Sequence, residues 1–161
     1  MRRFPAAGIL ARMDVSGTID KILHQKSGEI FTVRPDATVY DAIKLMAERN
    51  VGALLVMEDE KLVGIVSERD YSRKVMLRGK TSRSSTVREI MTTELTTAHP
   101  RETVEDCLRF MTEKRIRHLP VLCDGEIRGV ISIGDLVKEV ISMQNATLDQ
   151  LRDYISGGYP C

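Results

Sequence analysis

Gly64-Ile65-Val66-Ser67-Glu68-Arg69-Asp70 returns 65 residues later as Gly129-Val130-Ile131-Ser132-Ile133-Gly134-Asp135. Each copy reads glycine, two β-branched residues, serine, two variable residues, aspartate. The β-branched pair fits a buried strand, and the serine fits the point where that strand runs into a helix. There its hydroxyl stands beside the open backbone N–H groups of the first helical turn, a place that can hold an anion. Two copies predict two related binding clefts.

The repeat extends upstream. Thr18-Ile19-Asp20-Lys21-Ile22-Leu23 is matched by Thr86-Val87-Arg88-Glu89-Ile90-Met91, here at a spacing of 68, so the first copy holds three extra residues near 25–29. Phe31-Thr32-Val33 and Thr96-Thr97-Ala98 read as short strands stopped by Pro35 and Pro100. Thr38 and Thr103 then cap helices, each with an acid three residues on. Val39, Ala42, Ile43 and Met46 share one face of the first helix; Val104, Cys107, Leu108 and Met111 share one face of the second. A hairpin follows in each half, over 53–66 with a charged turn and over 119–131 around Asp124-Gly125. Each repeat closes in a helix, from Glu68 to about Leu77 and from Ile133 to about Met143.

The predicted organisation is α+β, two β-α-β-β-α repeats packed about a pseudo-two-fold axis. A leader spans 1–17, the first repeat 18–78, a polar basic linker 79–85, the second repeat 86–143, and a C-terminal helix and tail 144–161. The tail continues an apolar stripe through Leu148, Leu151 and Ile155, with Gly157-Gly158 as a stop. Either one helix runs on from the second motif or Asn145 breaks it; the stripe needs a surface to pack on, and a subunit interface is one.

Composition narrows the function. The 161 residues carry a formal net charge of +1, which exerts no global pull toward nucleic acid or membrane. Tryptophan is absent and aromatics make up 4%, arguing against stacking platforms for single strands. Cys107, Cys123 and Cys161 are odd in number and widely spaced, which fits a reducing compartment, expected to be the cytoplasm. No apolar run is long enough to span a bilayer.

These residues resemble a pair of CBS domains, named for cystathionine β-synthase. The resemblance runs from about Thr18 to Met143. Arg115-Ile116-Arg117-His118-Leu119-Pro120-Val121 and Tyr154-Ile155-Ser156-Gly157-Gly158-Tyr159 are also similar to stand-alone CBS-pair proteins of bacteria and plant mitochondria. The resemblance implies a non-enzymatic regulatory module that binds an adenine nucleotide such as AMP, ATP or NAD and signals energy or redox state to a separate partner protein. It implies Asp70 and Asp135 at the ribose diol, Ser67 and Ser132 at phosphate, Arg117 and His118 as further phosphate contacts, and Thr32 and Thr97 beside the base. The first half has Gly52-Ala53 where the second has Arg117-His118, so unequal clefts are expected, with Arg69 compensating in the first.

Plainer readings compete. Ser67-x-x-Asp70 is also a capping box, but its recurrence behind a fixed glycine adds a demand for close approach by a ligand or another backbone. Gly79-Lys80-Thr81 lacks the upstream glycine and strand of a P-loop. The methionines read as core filler, and no cluster has zinc spacing. His118 has no nucleophile or orienting residue in its sequence context, which argues against a general base. A homodimer built through helices, flat in outline, is expected. The competing function is an apo dimeric adaptor with vestigial clefts.

Overall fold

The structure is a computed structural model and describes residues 17–26 and 28–156. The predicted leader lies outside the described residues except for Gly17, and so does the Gly157-Gly158 stop. In chain order the elements are α1 (Asp20–Gln25), β1 (Thr32–Val33), α2 (Val39–Arg49), β2 (Ala53–Glu58), β3 (Lys61–Ser67), α3 (Glu68–Lys74), a 3-10 turn (Met76–Arg78), α4 (Val87–Ile90), α5 (Val104–Lys114), β4 (His118–Cys123), β5 (Glu126–Ser132) and α6 (Ile133–Ser156). The fold is α+β, as the repeats predict.

The two compact units are not the two sequence repeats. One is the continuous stretch Glu29–Thr96, the middle unit. The other joins the segment ending at Gly28 to the segment beginning at Thr97, the terminal unit. Each repeat has handed its first helix to the other's unit.

In the middle unit β1 lies parallel to β2, with Thr32 opposite Leu55, and β2 pairs antiparallel with β3. The core joins Val39, Ala42 and Met46 of α2 to Leu54, Val56 and Val66 of the hairpin and to Val87 and Ile90 of α4. The terminal unit repeats this with Val104, Cys107, Met111, Leu119, Val121 and Ile131, completed by Ile19 and Ile22 of the α1 segment. Each such aliphatic side chain contributes about 1.5–3 kcal/mol when fully buried. The exchange is pinned by backbone bonds. Val104 N–H donates to Gly17 O and Ile19 N–H to Glu102 O, both at 2.9 Å; Val39 N–H donates to Ser85 O and Val87 N–H to Ala37 O, also at 2.9 Å.

The predicted caps form. Thr38 and Thr103 each accept the amide three residues on, Asp41 and Asp106, at 3.1 Å. Both hairpins turn on two left-handed residues, Asp59-Glu60 and Asp124-Gly125.

Two expectations need correction. Thr96-Thr97-Ala98 is not a strand; only Ala98 forms an isolated parallel bridge, to Val121. The helix after the first motif ends at Lys74, not Leu77. The stretch 79–85 is exposed at Gly79, Lys80, Thr81, Arg83 and Ser84, and it is anchored at Ser82 and Ser85, whose carbonyls accept the first amides of α2, and at Arg83, 3.9 Å over the Tyr40 ring. Of the two readings of the tail, the continuous helix is the one found: it runs unbroken through Asn145, because nothing in 144–147 outweighs the helical bonding on either side.

Candidate functional site

Both motif junctions are built the same way. β3 ends at Ser67, which caps α3: Asp70 N–H donates to Ser67 Oγ at 3.3 Å, and the Ser67 amide and hydroxyl each donate to Asp70 Oδ2 at 2.9 Å. Lys74, one turn on, pairs with Asp70 Oδ1 at 2.8 Å and donates to Ile90 O at 2.6 Å, tying α3 to α4. In the terminal unit Ser132 N–H donates to Asp135 Oδ2 at 2.8 Å, and Asp135 N–H donates to Ser132 Oγ at 3.2 Å. The capping reading is therefore real at both motifs.

The cation differs between them. The counterpart of Lys74 is Glu139, buried and paired with Lys21 at 2.7 Å. Asp135 takes its cation from Lys26, whose ammonium reaches Oδ2 at 2.8 Å and Val130 O at 2.9 Å. Sequence reasoning missed Lys26. It sits among the three extra residues of the first copy, in no motif, and becomes visible only once the α1 segment is known to cross into the other repeat's unit. Asp135 Oδ1 carries none of these bonds and keeps acceptor capacity.

The charge states follow. Burial raises the Asp135 carboxyl, but the Lys26 ammonium and the Ser132 amide outweigh it and hold the group below its ordinary value. Asp135 is thus an ionised, acceptor-only carboxylate at neutral pH. His118, opposite Ser132 in the hairpin, is depressed chiefly by burial, with Asp135 pulling the other way. It is a neutral imidazole at neutral pH, which can still donate one ring N–H. Arg117, exposed just before β4, supplies the positive charge.

The helix starts are less open than the sequence implies. Ile133 N–H donates to Arg117 O at 2.9 Å and Glu68 N–H to Gly52 O at 3.1 Å. With Asp135 N–H bonded to Ser132, only the Gly134 amide in the first three of α6 carries none of these bonds. The motif glycines also have a local reason. A Cβ on Gly64 would stand 2.9 Å from Met91 Sδ and 3.0 Å from Thr92 O, and one on Gly129 2.9 Å from Leu23 Cδ2. The close approach that these glycines permit is by the exchanged segments.

The terminal unit thus brings together Ser132, Asp135, His118 and Lys26, with Arg117 adjacent. The middle unit brings together Ser67 and Asp70, with Ala53 opposite Ser67 and Arg69 half-buried on α3. Thr32 is exposed on β1, and Thr97 is exposed outside any strand. Cys107 is packing, not a nucleophile: burial, then Glu102 and Asp106, push its thiol up to about 12. A cavity of about 500 Å³ in the terminal unit includes none of the predicted ligand residues; His24, His99, Arg101 and Arg128 are among its walls.

Comparison with known proteins follows the same lines. A family model for the CBS domain matches residues 25–77 and 87–142. The mitochondrial CBS domain-containing protein CBSX3 of Arabidopsis thaliana is 42% identical over 162 residues, covering 92% of this chain and 79% of that protein. A solved CBS-domain protein from Burkholderia ambifaria aligns with a TM-score of 0.77 at 49% identity, over 80% of this chain and 96% of that one. The CBS domain pair of protein MJ0100, solved in complex with methylthioadenosine and S-adenosyl-L-methionine, aligns with a TM-score of 0.67 at 27% identity, over 76% of this chain and 94% of that one.

Proposed function

We infer the function from one premise: this chain belongs to the CBS-domain family. It is an adenine-nucleotide-binding regulatory module, without catalysis of its own, that reports energy or redox state to a separate protein. AMP, ATP and NAD are the candidate ligands, and the cytoplasm is the proposed compartment. The observation that carries this reading is the ionised Asp135 with Lys26 beside it and Arg117 at the neighbouring strand start. A ribose hydroxyl donates to Asp135 Oδ1, while Lys26, Arg117, Ser132 and the Gly134 amide face phosphate oxygens. MJ0100, of the same fold and holding two adenosine-bearing ligands, supports the ligand class.

The terminal-unit motif is the stronger of the two. At the first motif Gly52 and Ala53 offer no charge, and Lys74 already holds the second Asp70 oxygen; Arg69 is its one added cation. Thr32 and Thr97, both exposed, stand by the base. Signalling is a population shift: nucleotide favours one arrangement of the chain, and a partner binds that arrangement.

A thermal-shift panel tests this. At a nucleotide concentration roughly a hundredfold above Kd, the melting temperature rises by about 5–10 °C. Asp135→Ala removes most of the rise and Asp70→Ala less. The absence of any shift with AMP, ATP or NAD would reject the sensor.

One observation favours a second reading. Both aspartates already serve as helix caps with lysine partners, which is all an apo adaptor with vestigial clefts requires. That adaptor shows no nucleotide response but is a firm homodimer, lost on truncation after Met143.

A further inference from the structure

The terminal unit contains a concavity distinct from the motif junction. Its volume is about 500 Å³, and it lies among α1, the loop at His99–Arg101 and the far ends of β4 and β5. The middle unit holds the corresponding positions, at the repeat spacings of 65 and 68.

In the middle unit the corresponding charged residues are paired with one another. Arg88 of α4 bonds Glu58 at the end of β2, Arg34 bonds Asp36 at 3.1 Å, and Val63 holds the repeat position of Arg128. In the terminal unit every one of those positions changes. Asp20 and Cys123 replace Arg88 and Glu58, so no ion pair bridges helix and strand. His99 and Arg101 replace Arg34 and Asp36, and Arg128 replaces Val63.

The result is a cationic cavity. Arg101 has no ion pair among the described residues, while Arg128 shares its charge with Glu126 at 3.1 Å. The single lining acid, Asp20, stands 3.5 Å from the His24 ring. Arg101 N–H donates to His99 Nδ1 at 3.2 Å, which leaves Nε2–H as the donor of that ring. Leu23 and Pro100 give the cavity an apolar wall.

We propose that the cavity bounded by His24, His99, Arg101 and Arg128 is a second ligand site, for a small phosphate monoester. The Arg101 and Arg128 guanidiniums and the His99 Nε2–H arrive from separate segments and suit the three terminal oxygens of a tetrahedral dianion, whereas His24 Nδ1–H is spent on Asp20 O at 2.8 Å. The volume leaves room for a short organic tail against Leu23 and Pro100. The site stands independently of the nucleotide reading, because it shares no residue with the Ser132–Asp135 junction.

The test is an NMR titration of the full chain with glycerol 3-phosphate at constant ionic strength, read on the three histidine side chains. Saturable shifts at His24 and His99 are expected. Arg101→Asp with Arg128→Val restores the residues of the middle unit, which the same fold already accommodates. This double variant weakens binding by about tenfold or more, as expected on removing charge-assisted contacts. Arg128→Val alone weakens it in the same direction and serves if the double variant does not fold. Asp135→Ala leaves the response intact. The proposal is overturned if His24 and His99 do not move, if only His118 moves, or if the arginine variants bind with unchanged affinity.

Discussion

Lys26 and Asp135 are far apart in sequence and joined at 2.8 Å, and their charges set each other's behaviour. With its folded value depressed, Asp135 contributes stability that is present above its ordinary value of 3.8 and lost as pH falls through the folded value. Lys26→Met therefore makes the Asp135 carboxyl titrate at higher pH, read by side-chain carbon NMR, and flattens the acid limb of stability. An unmoved titration would show that Lys26 is not its counterion. His118 works in a different window. Its folded value lies below 6.5, chiefly through burial, so on acidification the unfolded chain takes up a proton that folded His118 refuses. Stability accordingly declines from about pH 6.5 downward. His118→Gln shows a smaller decline between that pH and the folded value in paired denaturant titrations. Equal slopes in the two proteins would contradict the burial argument.

The helix α6 carries the exposed apolar surface that the repeat does not absorb. Val137, Ile141, Leu148, Leu151 and Ile155 are 47, 54, 52, 53 and 69% exposed, and with Gln144 they alternate at spacings of four and three. That is a heptad seam, which a second copy of the same helix would cover. Leu151→Asp is expected to shift sedimentation toward the monomer while leaving the far-ultraviolet spectrum unchanged; an unaltered sedimentation coefficient would place self-association elsewhere. The stripe through Leu148, Leu151 and Ile155 was readable from spacing alone. So were the Thr38 and Thr103 caps and both hairpins, because those depend on neighbours in sequence. The failure at Thr96-Thr97-Ala98 has the opposite origin. A strand needs a partner along its length, and only Ala98 finds one, in Val121.

The exchange of first helices was not readable, because a repeat spacing records likeness and not adjacency. The trace it left was the three extra residues near 25–29, placed where the chain crosses from the terminal to the middle unit. The recurrence of Gly64 and Gly129 demands close approach, and the approaching groups are Met91, Thr92 and Leu23. Of the residues assigned to the ligand, those of the second motif gather around Asp135, while Thr32 and Thr97 lie exposed. The exchange makes a prediction that sequence order would get wrong. Ile22 belongs to the first repeat by sequence but is buried in the core of the terminal unit. Ile22→Ala costs about 2–5 kcal/mol there. Hydrogen exchange should show β4, β5 and α6 losing protection before β2 and β3. The reverse order would mean that the units are wrongly divided.

The middle unit is one uninterrupted run, Glu29–Thr96, whereas the terminal unit is spliced from two pieces. A gene cut between the sequence repeats would therefore yield two fragments, each missing a helix that the other carries away. A gene cut before Glu29 and after Thr96 would release one complete body, and the remaining ends, rejoined from Gly28 to Thr97, would encode the other.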